Sequence, residues 1–293
     1  MLDFSTHLGD IATQLETRLD QLLPTGDDIA QAMRWGTLGG GKRLRGFLVV
    51  ESAALFDVPR DQALNTAAAI ECLHAYSLIH DDLPCMDDDD LRRGRPTVHR
   101  KWDEATAVLA GDALQTQAFT ILSNATTHHD ANVRIALVAA LAAASGQAGM
   151  VGGQAMDIAA ETAGRALNLD EIQLLQSLKT GALIQFSARA GAILGQADAQ
   201  AHAALTAYAD ALGVAFQIRD DLLDVDGDEA TAGKALHKDA QAGKATYVSL
   251  LGVDGARAKA DSLVEQAITA LRPFGADASA LADAARYTLA RNT

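Results

Sequence analysis

The chain has 293 residues, 49% of them apolar and 4% aromatic, with a formal net charge of −14. That length and apolar share allow a large core in one helical domain, while the acidic balance excludes a general binder of nucleic acid or anionic membrane. Two cysteines, Cys72 and Cys85, are too few for a disulfide framework and have no zinc-site spacing.

Apolar residues at Leu2, Phe4, Leu8, Ile11, Leu15, Leu19 and Leu22 recur at helical spacing. Leu23-Pro24-Thr25-Gly26 breaks that helix, and Asp27-Asp28 suits the next helix start. Gly39-Gly40-Gly41 interrupts again. The pattern then predicts helices over about 44–56, 61–82, 103–124, 130–148, 168–194, 200–225, 245–271 and 277–291. Pro84 stops or kinks the fourth helix, and 227–243 reads as a loop with three glycines. Alanine is abundant, prolines number five, and no alternating strand is evident, so an all-α domain spanning 1–293 is expected. The first residues do not read as a signal peptide, and no apolar run of membrane-spanning length is expected, so a cytoplasmic protein is the reading.

Two acidic clusters carry the chemistry. The stretch DDLPCMDDDD, 81–90, holds six aspartates in ten residues, and three arginines follow in the next five. Asp220, Asp221 and Asp224 form the second cluster, with Asp220 and Asp224 stacked on one helix face. Like charges so placed destabilise a helix unless something compensates them. Asp81 and Asp87 are six residues apart, about 600° of turn, and would not share a face of a straight helix. An opening at Pro84 would let Asp87 swing back. Paired carboxylates near bases suit Mg²⁺, which takes one or two carboxylates plus water and phosphate oxygens. Asp224–Asp228 resembles the start of an EF-hand loop, but Glu229 and Ala235 stand where glycine and glutamate are needed, which rejects it.

The basic clusters stand against the global charge. Gly39-Gly40-Gly41-Lys42-Arg43-Leu44-Arg45 puts bases into a first helical turn, where an anion would offset them. It lacks the P-loop frame. Arg92, Arg93 and Arg95 follow the first acidic cluster, Lys234 and Lys244 follow the second, and Lys179-Thr180-Gly181 interrupts an apolar helix.

With GGGKRLRG, ECLHAYSLIHDDLPCMDDDDLRRGRPTVH, AGDAL, GGQAMD, KTGALI, FQIRDDLLDVDGD and GKATY in that order, nearly the whole chain resembles the trans-isoprenyl diphosphate synthases. It is most similar to the bacterial short-chain members that make farnesyl diphosphate. The resemblance implies an isoprenoid synthase-type single-domain helical bundle with a deep central cavity, in a homodimer. It implies 1′-4 condensation of isopentenyl diphosphate with dimethylallyl and then geranyl diphosphate. It implies three Mg²⁺ held by Asp81, Asp82, Asp87, Asp220, Asp221 and Asp224, with Asp81, Asp87 and Asp220 as direct ligands. Arg92, Lys179, Lys234 and Lys244 would hold the allylic diphosphate. Lys42, Arg45, His74 and Arg93 would hold isopentenyl diphosphate. Thr180 and Gln217 would line the reacting centre, and Gln154 and Asp157 would support the metal site.

Tyr76 and Ser77 lie five and four residues before Asp81, Tyr76 about 7.5 Å down the helix axis. An aromatic residue at one of these positions in the family stops growth near C15, so Tyr76 favours farnesyl diphosphate over the C20 geranylgeranyl product. His80 reads as a structural histidine, His128 and His129 as surface residues, and Cys85 as inert. A class I terpene cyclase would lack the isopentenyl diphosphate pocket, and a non-catalytic partner subunit of a synthase would tend to lose the aspartates.

Overall fold

A computed structural model describes residues 3–162, 165, 167–226 and 246–290. The protein is all-α, as expected. The predicted loop at 227–243, with Lys234, and also Lys244 lie outside the described residues. The described chain divides into two compact units, Met1–Ala139 with Ile193–Gln196, and Ala140–Ala192 with Ala197–Thr293.

The first unit holds α1 (Phe4–Leu22), α2 (Asp28–Thr37), α3 (Leu44–Ala54), α4 (Arg60–Asp81), α5 (Val98–Lys101) and α6 (Glu104–Ser123). Asp27 caps α2 by accepting from the Ala30 N–H at 2.8 Å. Helix α4 is its core element. Its buried residues run round the whole helix, from Ala63 to Ile79, and α3 and α6 pack against it. Small side chains such as Ala67, Ala68, Ala69, Ala107, Ala110 and Gly111 permit that close approach. The large ones that do enter, Phe47, Leu48, Ile70, Leu73 and Leu114, are fully buried and stabilise by about 1.5–3 kcal/mol each. No strand was expected, yet Leu91–Arg92 pairs antiparallel with Arg95–Pro96 as β1 and β2. Two residues are too few for a periodicity signal to show in the sequence.

Helix α7 (Ala131–Ser145) follows α6, and the second unit then carries α8 (Met150–Thr162), α9 (Leu169–Gln176), a π-helical turn (Ser177–Gly181), α10 (Ala182–Leu194), α11 (Ala199–Asp226), α12 (Tyr247–Ala270) and α13 (Ser279–Ala290). Helix α11 packs along α12. The hydroxyl of the fully buried Tyr208 donates to the Leu281 carbonyl at 2.8 Å, the partner a buried phenol requires. Asn168 caps α9 with a complete capping box involving Glu171. Helix α8 was not among the expected helices, and its Gly153 lies against the Lys179 backbone.

The composition holds one further correction. Ala131–Ala160 is long and apolar enough to cross a membrane, with a mean hydropathy of 1.6, where no such run was expected. The backbone turns at 146–149, however. The 15 residues of α7 rise about 22 Å, short of the roughly 30 Å of a hydrocarbon core.

Candidate active site

The first aspartate motif is built by the end of α4. The helix stops at Asp81, and the backbone N–H of Asp87 returns to donate to the Asp81 carbonyl at 2.8 Å. The opening expected at Pro84 is therefore present, and it brings the two aspartates together along the backbone. Asp82 is buried. Arg92 donates to it through Nε at 2.8 and 3.0 Å and through Nη2 at 2.6 Å. Such a charge-assisted fork fixes both groups. Burial pushes the Asp82 carboxyl up, while Arg92 draws it back. Burial alone would lower Arg92, but Asp82, with Asp89 and Asp81, more than offsets that and holds it above its ordinary value.

The short β-ladder explains how Arg92 and Arg93 are aimed. Its loop is Arg93-Gly94, with φ of 53° and 72°, the left-handed pair of a tight hairpin turn. Arg92 sits on the strand and Arg93 at the turn. Arg93 Nη1 donates to the Gly40 carbonyl at 2.6 Å. A Cβ on Gly41 would lie 2.9 Å from the Arg93 guanidinium, so a side chain there would displace that group. Gly39, Gly40 and Gly41 all have positive φ, a conformation that other residues adopt only under strain. A pocket in this unit is lined by Trp35, Leu78, Asp82, Arg92, Arg93 and Arg95, among others.

Lys42 and Arg45 lie at the start of α3, both half-buried. Arg45 Nη1 is 3.4 Å from Nε2 of His74. Burial, then Arg45, Arg93, Arg43 and Arg92, push His74 well below its ordinary value, so its ring is neutral and can accept from Arg45. Tyr76 sits edge-on to His80, with ring centroids 5.0 Å apart. Ser77 Oγ donates to the His74 carbonyl at 2.9 Å. His80 Nε2 donates to the Val108 carbonyl at 3.1 Å. His128 is buried, against expectation, and its Nδ1 accepts from the Asp130 N–H at 3.1 Å. His129 and Cys85 are exposed.

In the second unit the interruption at Lys179-Thr180-Gly181 is a π-turn, a distortion often found at functional sites. Gly153 lets α8 approach it, since a Cβ there would lie 2.2 Å from the Lys179 backbone nitrogen. Lys179 Nζ donates to Asp157 Oδ2 at 2.5 Å. Thr180 Oγ1 is 3.5 Å from Gln217 Oε1. Asp220 and Asp224 are half-buried on α11, four residues apart. Asp221 differs. It is buried, accepting from Gln217 Nε2 at 3.1 Å and from the Tyr247 N–H at 2.8 Å. Each of its two oxygens accepts a hydrogen bond from the protein. Burial pushes the Tyr247 phenol up to about 12, with Asp221 adding to it. Gln154 carries a buried Oε1 with no hydrogen bond among the described residues.

The donors fit a hard divalent cation. They are carboxylate oxygens with no soft ligand among them, and among the described residues no three acidic, histidine or cysteine side chains converge as a closed cage. Mg²⁺ needs no such cage, because waters and substrate phosphates complete its shell. Sequence reasoning missed Glu16, Arg43 and Glu71, which pack beneath the glycine loop. An acid inside the apolar run AAAIECLHA was the available signal for Glu71.

Comparison with known proteins gives a consistent result. The family model described as Polyprenyl synthetase matches residues 27–280. A farnesyl diphosphate synthase of Escherichia coli (strain K12) is 49% identical over 269 residues, covering 90% of this chain and 89% of that protein. One from Haemophilus influenzae is 41% identical over 289 residues, covering 94% and 97%. The crystal structure of an FPP/GFPP synthase from Zymomonas mobilis matches with a TM-score of 0.90 at 49% identity, covering 98% of each chain.

Proposed function

The chain belongs to the polyprenyl synthetase family, and from that premise we propose that it is a prenyltransferase condensing isopentenyl diphosphate with dimethylallyl and then geranyl diphosphate to give (2E,6E)-farnesyl diphosphate. The observation that carries this reading is the turn joining Asp81 to Asp87, with Asp82 held by Arg92 directly beside it. It sets carboxylates for a cation and a guanidinium for a diphosphate on one short segment. The deep central cavity implied by the family resemblance belongs to the same reading.

Asp81, Asp87, Asp220 and Asp224 would hold Mg²⁺, three ions in this reading, while Asp82 fixes the Arg92 guanidinium and Asp221 ties Gln217 to the Tyr247 N–H. When bound, the metal neutralises charge on the diphosphate oxygens. Arg92, Lys179, Lys234 and Lys244 bind the allylic diphosphate and stabilise the negative charge that grows on it as its C1–O bond breaks. Lys42, Arg45, His74 and Arg93 bind isopentenyl diphosphate. Its double bond attacks C1 of the allyl cation, a C–C bond forms, and a proton leaves to the departing pyrophosphate. Thr180 and Gln217 present oxygens to the cation, in a site that must exclude water. Gln154 and Asp157 support the metal site.

Tyr76 stops chain growth at C15; without that floor the product would be geranylgeranyl diphosphate. The protein acts as a cytoplasmic homodimer without membrane insertion or nucleic acid. Exposed Val108 and Leu109 on α6 and Ile135 on α7 are apolar side chains that a second copy of the chain would cover in this reading. Pyrophosphate release tests the reading. It requires both substrates and Mg²⁺ here, whereas a cyclase would release pyrophosphate from the allylic substrate alone and a non-catalytic subunit would release none.

A further inference from the structure

Arg43 stands between Lys42 and Arg45, yet it faces the protein rather than a substrate. Its side chain is 2% exposed, and its backbone is left-handed, with φ 52° and ψ 34°. Every arm of the guanidinium is used. Nη1 donates to Glu71 Oε2 at 2.9 Å, and Nε donates to Glu16 Oε1 at 3.0 Å. Nη2 donates to Glu16 Oε1 at 2.5 Å and also to the Thr37 carbonyl.

The two carboxylates each spend their second oxygen on the same loop. Glu16 Oε2 accepts from the Gly39 N–H at 3.2 Å, and Glu71 Oε1 accepts from the Gly46 N–H at 3.0 Å. The segment from Thr37 to Gly46 is thus gripped at both ends and from within by one ion triad. That segment needs the grip. It contains three glycines at φ of 91°, 130° and 105°, and glycine gives up more conformational freedom on ordering than any other residue.

We propose that Arg43, Glu16 and Glu71 form a positioning device that holds the glycine loop so that Lys42 and Arg45 meet the diphosphate of isopentenyl diphosphate in fixed geometry. The inference rests on the reading that Lys42 and Arg45 bind that substrate. Only arginine suits the central position. Its planar fork makes four hydrogen bonds from three separate nitrogens, whereas an ammonium has three donors on one atom. Glu16 and Glu71 bring two negative charges to the one positive charge of Arg43, so Arg43 is committed to the protein rather than to a substrate anion. Small misplacement of binding groups costs rate or affinity steeply.

The test is steady-state kinetics of Glu16→Ala and Arg43→Lys, with the KM for each substrate measured separately. Arg43→Lys disturbs a buried pair and lowers stability, so Glu16→Ala, whose side chain is 30% exposed, keeps the test clean. The expected result is a KM for isopentenyl diphosphate raised about tenfold or more, with the KM for the allylic substrate within about twofold of its original value. Glu16→Gln keeps one acceptor oxygen, enough for Arg43, but turns an NH2 toward the Gly39 N–H, so it recovers only part of the loss. An unchanged KM for isopentenyl diphosphate in folded Glu16→Ala would overturn the proposal, as would equal changes in both KM values. Lys42→Ala and Arg45→Ala separate the two levels. If these leave that KM unchanged, the binding reading fails; if they raise it and Glu16→Ala does not, the positioning role alone fails.

Discussion

The backbone N–H of Tyr247 donates to Oδ2 of Asp221 at 2.8 Å. One aspartate of the second motif thereby joins α11 to the first residue of α12, while its neighbour Asp220 remains half-buried. Asp221→Ala should lower stability by about 1–3 kcal/mol, because it strips buried donors of their acceptor. Asp220→Ala should lower activity by roughly 10²-fold or more at a smaller cost in stability. Denaturant unfolding beside kcat measurements checks this. Equal stability losses in the two variants would remove the distinction.

Product length should respond to the packing around Tyr76. Tyr76→Ala should shift product from C15 toward C20. Gly111→Ala reaches the same place indirectly, since its Cβ would lie 2.1 Å from Nε2 of His80, the ring that meets the edge of Tyr76. That overpacking should cost about 1–3 kcal/mol and broaden the product range. Chromatography of the dephosphorylated products reads both. A C15 profile unchanged in Tyr76→Ala would take the floor role from Tyr76.

Lys179 is paired with Asp157 at 2.5 Å on the π-turn. Its proposed role is to stabilise the departing diphosphate, so Lys179→Ala should lower kcat by roughly 10²-fold or more. Single-turnover rates at saturating substrate measure this directly. A variant that raised only KM would show uniform binding instead of transition-state stabilisation.

His74 gives a pH dependence with a definite sign. Its folded pKa lies well below the ordinary 6.5, through burial and the nearby arginines. The unfolded chain therefore takes up the proton first, and stability falls as pH drops below about 6.5 toward the folded value. Above that pH the contribution is constant. His74→Gln should show a shallower loss between pH 6.5 and 5 in thermal unfolding, and parallel curves for the two proteins would contradict the assignment.

The long helices were legible because their apolar spacing and caps are local signals, as at Asp27 and Asn168. The closure of Asp87 onto Asp81 was legible from Pro84 and the six-residue spacing. The rest depended on tertiary context. Glycines that would break an isolated helix sit inside α8 because Gly153 lies against Lys179, a contact that no window of sequence shows. Arg43 looked like another surface base in GGGKRLR until Glu16 and Glu71, far off in sequence, were found around it. Asp220 was expected as a direct ligand and Asp221 was not, but the hydrogen bonds that Asp221 accepts from Gln217 and Tyr247 join residues that no window of sequence brings together.

Incubation of the protein with Mg²⁺, isopentenyl diphosphate and dimethylallyl diphosphate, followed by dephosphorylation and chromatography of the alcohols, tests the central claim most directly. The account predicts farnesol as the main product, with none formed when a chelator replaces Mg²⁺. Absence of any alcohol longer than the starter, from folded protein with Mg²⁺ present, would contradict it.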